Sequence, residues 1–503
     1  MLEFWGSANC TLVMKFRAKA QRRKENRNQF SLRLCAFARN HFPKICGLII
    51  FLCANTAHAD TRVTISTPIP GEIRVDAELS SPTRSWSFRN AYAGVLDLAE
   101  RIEDFRATNA AGHDARVKKS AAGEFRSDLD ATKITYTVKL SAPRATGVPH
   151  VSWLADDRGF LMFADLIPQD IETVSAEFKL PTAWTVESAI TESNGRYEVA
   201  ESQNAVFLVG RALRKTSNVR DGVVLDVVLS GTWPFKEAEV LNIANTVLQK
   251  YLDLTGFKLQ DKSTIMIAPL PVTTGKSEWK AETRGSTVVL LANPQKFASW
   301  RNQLTIIFSH EMLHLWVPNS LKLEGDYDWF FEGFTLYTAL LTVRELGSVD
   351  FKETLNTLGR VYDVYISQPD DKSLIEASET RWTSAFTNVY VKGMLVAFLY
   401  DLKIRKESGG KNTLADRYRE LFSRRVGANA NANEAIIAVL DSAPAMSGFA
   451  KSYIESNTRL ELEQVLPAYG LTLDSSGKKS QLRVSRDLND EQRQLLRSLG
   501  YRN

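Results

Sequence analysis

Residues 308–337 read FSHEMLHLWVPNSLKLEGDYDWFFEGFTLY, and this stretch sets the expectations for the rest of the chain. His310 and His314 stand four apart, Glu311 follows the first histidine, and Glu332 lies in an aromatic-rich segment. On a helix, residues at i and i+4 project from the same face, about one turn apart. The two imidazoles therefore have the spacing to bind one Zn²⁺, whose bonds to nitrogen are about 2.0–2.1 Å long.

A catalytic zinc takes three protein ligands and keeps one position open. The sequence predicts that a helix over 301–316 stops at Pro318, and that a helix over 328–346 returns antiparallel with Glu332 as the third ligand. Glu311 is rotated by about 100° from His310, so it faces the open position as a candidate general base. We predict one Zn²⁺ per chain. The sequence does not exclude another divalent metal at this site, although two nitrogens and one oxygen suit zinc.

The alternative is that the motif is fortuitous, because HExxH is short and a histidine on an apolar helix is often a core residue. After residue 59 the chain has only four histidines, and two of them fall at metal spacing. The other two, His113 and His150, lie in a region of β pattern and are interpreted as surface or turn residues. This distribution favours a metal site.

The residues before the motif alternate with period two. KITYTVKL (133–140) and TVSAEFKL (173–180) place apolar side chains on one face, and GVVLDVVLSG (222–231) has the composition of a more buried strand. Turn residues separate these runs, which predicts an all-β, sandwich-like domain over 60–232. Strands over 263–271 and 286–293, together with the helices of the motif, predict an α+β domain over 233–370. A helical region follows over 371–475, and then a polar tail over 476–503 with a short helix.

Charge is concentrated at the amino terminus. Residues 1–59 hold ten of the 63 basic and two of the 58 acidic residues, which leaves 53 basic and 56 acidic residues in the body of the chain. That balance gives no argument for nucleic-acid binding. The basic stretch runs into KICGLIIFLCANTAHAD (44–60), which has the pattern of a secretory signal cleaved before Asp60.

The alternative to a signal is a transmembrane anchor, but the apolar run fades after about ten residues where a span needs about 20. All four cysteines precede the predicted cut: Cys10, Cys35, Cys46 and Cys53. We therefore expect a mature protein without disulfides or thiolate chemistry, periplasmic or secreted, with no stable membrane insertion. The sequence leaves the oligomeric state and the true translation start open.

HEMLHLW followed by DWFFEGFTLY resembles the gluzincin zinc metallopeptidases, in particular the glycyl-aminopeptidase-like family related to aminopeptidase N. The resemblance covers roughly 60–475 and implies a β-rich domain, a thermolysin-like catalytic domain and a helical region, in that order. YVKGMLVAFLYDLKIR (390–405) resembles a segment whose tyrosine stabilises the tetrahedral intermediate, a role that would fall to Tyr390. The alternative reading of Tyr390 is a core aromatic.

WKAETRGSTVVL (279–290) resembles a GGLEH-type segment followed by the active-site edge strand. The resemblance implies that Glu282 receives the free amine of a peptide substrate. Trp279 and Lys280 replace the glycines, and bulk at these positions could narrow or abolish an amine pocket. The alternative reading of Glu282 is an exposed carboxylate before a strand. About thirty residues follow the helical region, too few for the PDZ domain that relatives often carry, so we expect none.

The resemblance implies a peptide substrate and, as the leading hypothesis, an exported zinc aminopeptidase that uses metal-activated water. Two alternatives stay open. An endopeptidase or another amidohydrolase is favoured if Glu282 does not face the metal. A peptide-binding module that has lost turnover is the other, although the ligands, the base and the tyrosine are all present.

Overall fold

The computed structural model describes residues 61–142, 147–259, 262–271, 278–294, 299–369, 371–382, 386–424, 430–477 and 479–502. The predicted signal over 1–59 and its cleavage site lie outside these residues. None of the helices in the described ranges combines the length and hydrophobicity needed to cross a bilayer.

The described strands, in chain order, are β1 (Thr61–Ser66), β2 (Glu72–Ser87), β3 (Ala91–Tyr92), β4 (Val95–Leu96), β5 (Ile102–Thr108), β6 (Asp114–Ala115), β7 (Val117–Ala121), β8 (Glu124–Lys139), β9 (Trp153–Leu154), β10 (Arg158–Met162), β11 (Val174–Lys179), β12 (Trp184–Ser188), β13 (Glu192–Ser193), β14 (Arg196–Val199), β15 (Val206–Arg211), β16 (Arg214–Arg220), β17 (Val223–Leu229), β18 (Ser263–Pro269), β19 (Trp279–Arg284), β20 (Thr287–Ala292), β21 (Leu471–Asp474) and β22 (Gln481–Val484). The described α-helices are α1 (Glu237–Thr255), α2 (Trp300–Glu311), α3 (Thr335–Glu345), α4 (Phe351–Ile366), α5 (Leu374–Glu379), α6 (Phe386–Glu407), α7 (Leu414–Ser423), α8 (Ala432–Leu440), α9 (Phe449–Tyr453), α10 (Leu462–Val465) and α11 (Asp490–Ser498).

Three of the sheets in the described residues are stacked in layers. Among the described strands, one sheet has the order β13-β14-β11-β1-β2-β8-β5-β6, with β7 also paired to β8. A second has the order β12-β15-β10-β9, and a third the order β16-β17-β18-β20-β19. The all-β amino-terminal domain, the mixed α/β middle and the helical region that follows confirm the predicted fold class.

Strand β15 shows how the layers join. Phe207 and Val209 pack against the nine-stranded sheet, whereas Val206 and Leu208 face the opposite way, toward β17, β18 and β20. Successive side chains of a strand point to opposite faces of its sheet, and here both faces are covered. The four-stranded sheet is therefore the central layer, and VFLVG is apolar throughout for that reason.

The third sheet crosses the predicted boundary at 232. Strands β16 and β17 precede that boundary, yet β17 pairs in parallel with β18 and β16 closes that edge of the sheet. Alternation predicts that a segment is a strand but not which sheet it joins. GVVLDVVLSG accordingly forms a buried strand of the sheet beside the motif helices, instead of a strand of the sandwich.

The carboxyl-terminal segment has more structure than a polar tail. Strands β21 and β22 form a hairpin, and α11 forms within the predicted 488–499. Leu495, Leu496 and Leu499 are buried in the same core as the helices. Arg405 on α6 donates to the carbonyl of Ser498 at 2.7 Å, so the terminal helix is fixed to the helical region.

Candidate metal centre

His310, His314 and Glu332 converge at one point between the third sheet and the helices. The Nε2 atoms of the two histidines are 3.1 Å apart, and each lies 3.6 Å from Oε2 of Glu332. All three side chains are buried, and one ligand atom from each lies within 4.8 Å of the others. The convergence of these three side chains, predicted from their sequence spacing, is therefore present in the structure.

Local structure differs from the prediction of two uninterrupted helices. Helix α2 ends at Glu311, and Met312–Leu315, which carries His314, is a 3₁₀ turn. Glu332 lies on a π-helical turn, Trp329–Phe334, that leads into α3. A single π turn inside a helix shifts the register of the side chains and is frequent at functional sites. Both departures occur at the ligands themselves.

The donor set fits a zinc ion. Tetrahedral bonds of 2.0–2.1 Å place ligand atoms about 3.3 Å apart, and the three separations bracket that value. Nδ1 of His314 lies 2.9 Å from the carbonyl of Val317. A carbonyl only accepts, so Nδ1 carries the hydrogen and Nε2 presents a lone pair.

His310 supports the same conclusion. Burial, followed by His314 and Arg381, holds the pKa of His310 well below its usual value, so this imidazole is neutral at physiological pH. Its Nε2 faces that of His314 at hydrogen-bond distance with a carboxylate oxygen beside both. A cation bound by these two nitrogens and this oxygen is what the arrangement would accommodate.

Glu311 lies beside the triad on the side of the edge strand β19. Its Oε2 lies 2.9 Å from the hydroxyl of Thr283, and its backbone carbonyl lies 2.7 Å from the same hydroxyl. Burial raises the pKa of Glu311 to about 8, the Thr283 contact opposes that shift, and Glu332 and Glu282 add to it. A cation in the triad would lower this pKa. Thr283 thus holds the candidate base in place.

We expect Thr283→Val to move the acid limb of kcat/KM to higher pH. The hydroxyl stabilises the ionised carboxylate, so its loss raises the pKa of Glu311 and leaves less base at a given pH. Near neutral pH we expect kcat/KM to fall about 10- to 100-fold, because one hydrogen bond to a charged group contributes roughly 1.5–3 kcal/mol. Rate profiles from pH 5 to 9 measure this, with Thr283→Ser as the matched control. An unmoved limb in the valine variant would contradict the role.

Tyr390 lies on α6 and contacts the triad at Glu332, both directly and through Arg381. The guanidinium of Arg381 donates to the Tyr390 hydroxyl, and Nη2 of the same group donates to Oε1 of Glu332 at 2.9 Å. Burial raises the pKa of Tyr390 well above its usual value, Arg381 opposes that shift, and Glu332 adds to it. Tyr390 is therefore a protonated donor near the third ligand as well as a packed aromatic.

Glu282 lies on the edge strand itself and not in a loop before it, since Trp279–Arg284 pairs antiparallel with β20. Its carboxylate accepts from the hydroxyl of Tyr92 at 2.9 Å and from Arg284 at 3.1 Å, and Nδ1 of His150 contacts the other oxygen. Burial alone would raise its pKa, but Arg284 and His150 lower the pKa of Glu282 to about 2. Glu282 is therefore ionised and largely shielded from solvent, with 12% of its side chain exposed, in contrast to an exposed carboxylate.

The sequence did not indicate several residues of this centre. Arg381 stands in a polar segment between helices, and Thr283 is one threonine among many. His150 lies in a turn, as predicted, but its side chain is half-buried and contacts Glu282, while His113 is exposed in the turn between β5 and β6. Each missed contact joins residues that are distant in sequence.

No family model matches this sequence, and no curated protein sequence matches it. Solved structures do match. An aminopeptidase N family protein from Idiomarina loihiensis superposes with a TM-score of 0.69 at 18% identity, covering 83% of this chain and 81% of that one. The chain has an M1 gluzincin aminopeptidase-like fold.

A second matching structure is an M1 zinc metallopeptidase from Deinococcus radiodurans, with a TM-score of 0.51 at 13% identity, covering 80% of this chain and 95% of that one. A variant of that protein was solved with a Tyr-Ser-Ala substrate and superposes with a TM-score of 0.52 at 13% identity over the same shares. The fold agrees with the resemblance stated above. The narrower place among glycyl-aminopeptidase-like proteins stays a prediction.

Proposed function

We propose that this protein is a zinc-dependent metallopeptidase, and an aminopeptidase within that class. The observation that carries the proposal is the convergence of two imidazole nitrogens and one carboxylate oxygen within 4.8 Å, inside a gluzincin fold. Glu311 beside this triad and Tyr390 behind it supply the two further groups that peptide hydrolysis needs. A fold alone does not imply an activity, so the proposal rests on the site.

His310, His314 and Glu332 would hold one Zn²⁺, which when bound polarises the scissile carbonyl and acidifies water at its open position. Glu311 takes the proton from the attacking water and passes it to the leaving amine. Its buried position favours this role, because a raised pKa brings a carboxylate closer to the operating pH. Thr283 keeps the carboxylate oriented during both transfers.

Tyr390 would stabilise the charge that develops on the carbonyl oxygen. Its phenol accepts from Arg381 and forms a hydrogen bond with Glu332, so its own hydrogen points toward the metal centre. A preformed donor in a buried site contributes more than the same donor in water. The high pKa of Tyr390 keeps that hydrogen in place throughout the working pH range.

Glu282 supports aminopeptidase action. Its carboxylate has four acceptor positions and uses three of them, for Tyr92, Arg284 and His150. An ionised carboxylate with one position left can accept from a terminal ammonium. The ion pair with Arg284 offsets part of its charge and favours the second candidate, an endopeptidase that needs no free amine.

Hydrolysis of matched free-amine and N-acetylated peptides tests the proposal. An aminopeptidase hydrolyses only the free-amine set and releases single residues in order. Cleavage of both sets would support the endopeptidase. If the zinc-loaded protein binds peptides but hydrolyses neither set, the result would support the binding module and contradict the enzyme assignment. Dialysis against a chelator should abolish turnover, and added Zn²⁺ should restore it.

We expect Glu282→Ala to lower kcat/KM on free-amine peptides by about 10- to 100-fold, because a charge-assisted hydrogen bond contributes about 1.5–3 kcal/mol. On N-acetylated peptides the variant should match the parent. Tyr92→Phe is the matched control, since it removes one contact to the carboxylate but keeps the charge. Equal losses on both peptide sets would count against an amine anchor.

We also propose that the protein is exported, on the charge and hydropathy pattern of residues 1–60. Expression of the full chain in a Gram-negative host should yield periplasmic protein whose first residue is Asp60. Amino-terminal sequencing of the fractionated protein measures this. Intact chain in the cytoplasm or the membrane fraction would contradict export.

A further inference from the structure

Arg381 contacts both halves of the proposed catalytic apparatus. It is buried, with 8% of its surface exposed. Nη2 donates to Oε1 of Glu332 at 2.9 Å and to the hydroxyl of Tyr390, and Nη1 forms an ion pair with Asp328. One guanidinium therefore joins the third metal ligand, a neighbouring carboxylate and the candidate oxyanion donor.

The contact to Glu332 separates the tasks of its two oxygens. Oε2 lies 3.6 Å from Nε2 of each histidine, whereas Oε1 accepts from Arg381. Hydrogen bonds from residues around a metal orient its ligands and raise affinity. Because Arg381 holds Oε1, the Glu332 side chain is already ordered before a metal binds and presents a single oxygen to the metal position. Metal binding then costs less side-chain entropy.

The contact to Tyr390 fixes the direction in which the Tyr390 hydroxyl hydrogen points. Arginine can only donate, so the Tyr390 oxygen accepts from it and the phenol hydrogen points to another acceptor, the carboxylate of Glu332 beside the metal position. Lysine, with one compact ammonium, could not serve three acceptors in the geometry of the guanidinium fork. The aromatic rings around the guanidinium limit its movement further, since its central carbon lies 4.4 Å from the ring centre of Trp382 and 5.7 Å from that of Phe331.

We propose that Arg381 is a positioning residue that presets Glu332 for the metal and Tyr390 for the reacting carbonyl. It touches neither substrate nor metal, and it acts through the two side chains that do. The Tyr390 half rests on the proposed function. The Glu332 half rests only on the metal centre, so the two halves need separate measurements.

Zinc affinity measures the Glu332 half. We expect Arg381→Met to bind Zn²⁺ about 10- to 100-fold more weakly than the parent in competition with a chromophoric chelator. Arg381→Lys keeps the charge, and we expect an intermediate affinity. The matched control is Arg405→Met, which removes another buried arginine from a carboxylate, Asp401, at 2.9 Å. That variant should lose thermal stability and keep the zinc affinity of the parent.

Steady-state kinetics at saturating zinc measure the Tyr390 half. We expect Arg381→Lys to lower kcat about 10-fold or more with little change in KM, because a transition-state contact is weakened. In a double-mutant cycle with Tyr390→Phe, the second substitution should add little to the first. Fully additive losses would overturn this half.

Different results would overturn the Glu332 half and the Tyr390 half. Unchanged zinc affinity in the methionine variant, or an equal loss in Arg405→Met, overturns the Glu332 half. If Arg381→Met does not fold, Arg381→Lys decides by the same zinc measurement. A parent that binds zinc but hydrolyses no peptide removes the proposed function and the Tyr390 half with it, while the zinc titration still tests the Glu332 half.

Discussion

Glu311→Gln is expected to keep one zinc per chain and to lower kcat about 10²- to 10⁴-fold, the usual range for a positioned general base. Glutamine preserves the shape of the side chain and can still contact the Thr283 hydroxyl, but it takes up no proton. Glu311 is not one of the three converging groups, so metal content should not change. Zinc stoichiometry and peptide hydrolysis on the same purified sample measure both quantities.

Glu324→Gln is the matched control, because it makes the same chemical change at an exposed position in the loop between the two motif segments. It should have the kcat and the zinc content of the parent. Two results would contradict the assignment. A Glu311→Gln variant with a tenth or more of the parental turnover, in round numbers, would not have lost its base. One that loses its zinc would place Glu311 inside the coordination shell.

The ligands and the base could be predicted because their geometry is encoded locally. The i, i+4 spacing places His310 and His314 on one side of a helix. A short loop after Pro318 then brings the chain back so that Glu332 lies beside them. Even the unexpected 3₁₀ and π turns leave these distances intact, since each shifts a side chain by a fraction of a turn. The period-two pattern likewise predicted the strands of the amino-terminal domain.

The residues around the centre could not be predicted, because each comes from a distant part of the chain. Tyr92 and His150 reach Glu282 across 190 and 132 residues. Arg381 reaches Glu332 across 49. No periodicity marks such partners, and an isolated arginine or threonine carries no signal of what it will contact. The same limit explains β16 and β17, whose alternation did not reveal the sheet that they join.

The glycines of the two motif segments have a physical reason that the sequence did not reveal. Gly333 follows Glu332 on the π turn, and Gly393 lies three residues after Tyr390 on α6. A Cβ on Gly333 would lie 2.5 Å from the Cα of Gly393 and 2.8 Å from the carbonyl oxygen of Val389. The two backbones are therefore in direct contact where the third ligand and the tyrosine are presented.

Gly333→Ala is accordingly expected to lower the free energy of unfolding by about 1–3 kcal/mol or more, as overpacking does in a close-packed core. Backbone atoms cannot rotate away as a flexible side chain can, so the π turn and α6 must separate. That movement shifts Glu332 relative to the histidines and to Tyr390. We expect zinc affinity and kcat to fall together, each by about tenfold or more.

The distances rank the expected losses. A Cβ on Gly393 would meet its nearest atoms at 2.9 Å, a milder clash than that at Gly333, and one on Gly477 would come no nearer than 3.8 Å. Denaturant midpoints and zinc competition should therefore place Gly333→Ala lowest, Gly393→Ala next and Gly477→Ala near the parent. Stability lost at Gly333 without weaker zinc binding would mean that the contact holds the helices but not the ligand. An unchanged midpoint would show that the backbones are not in contact.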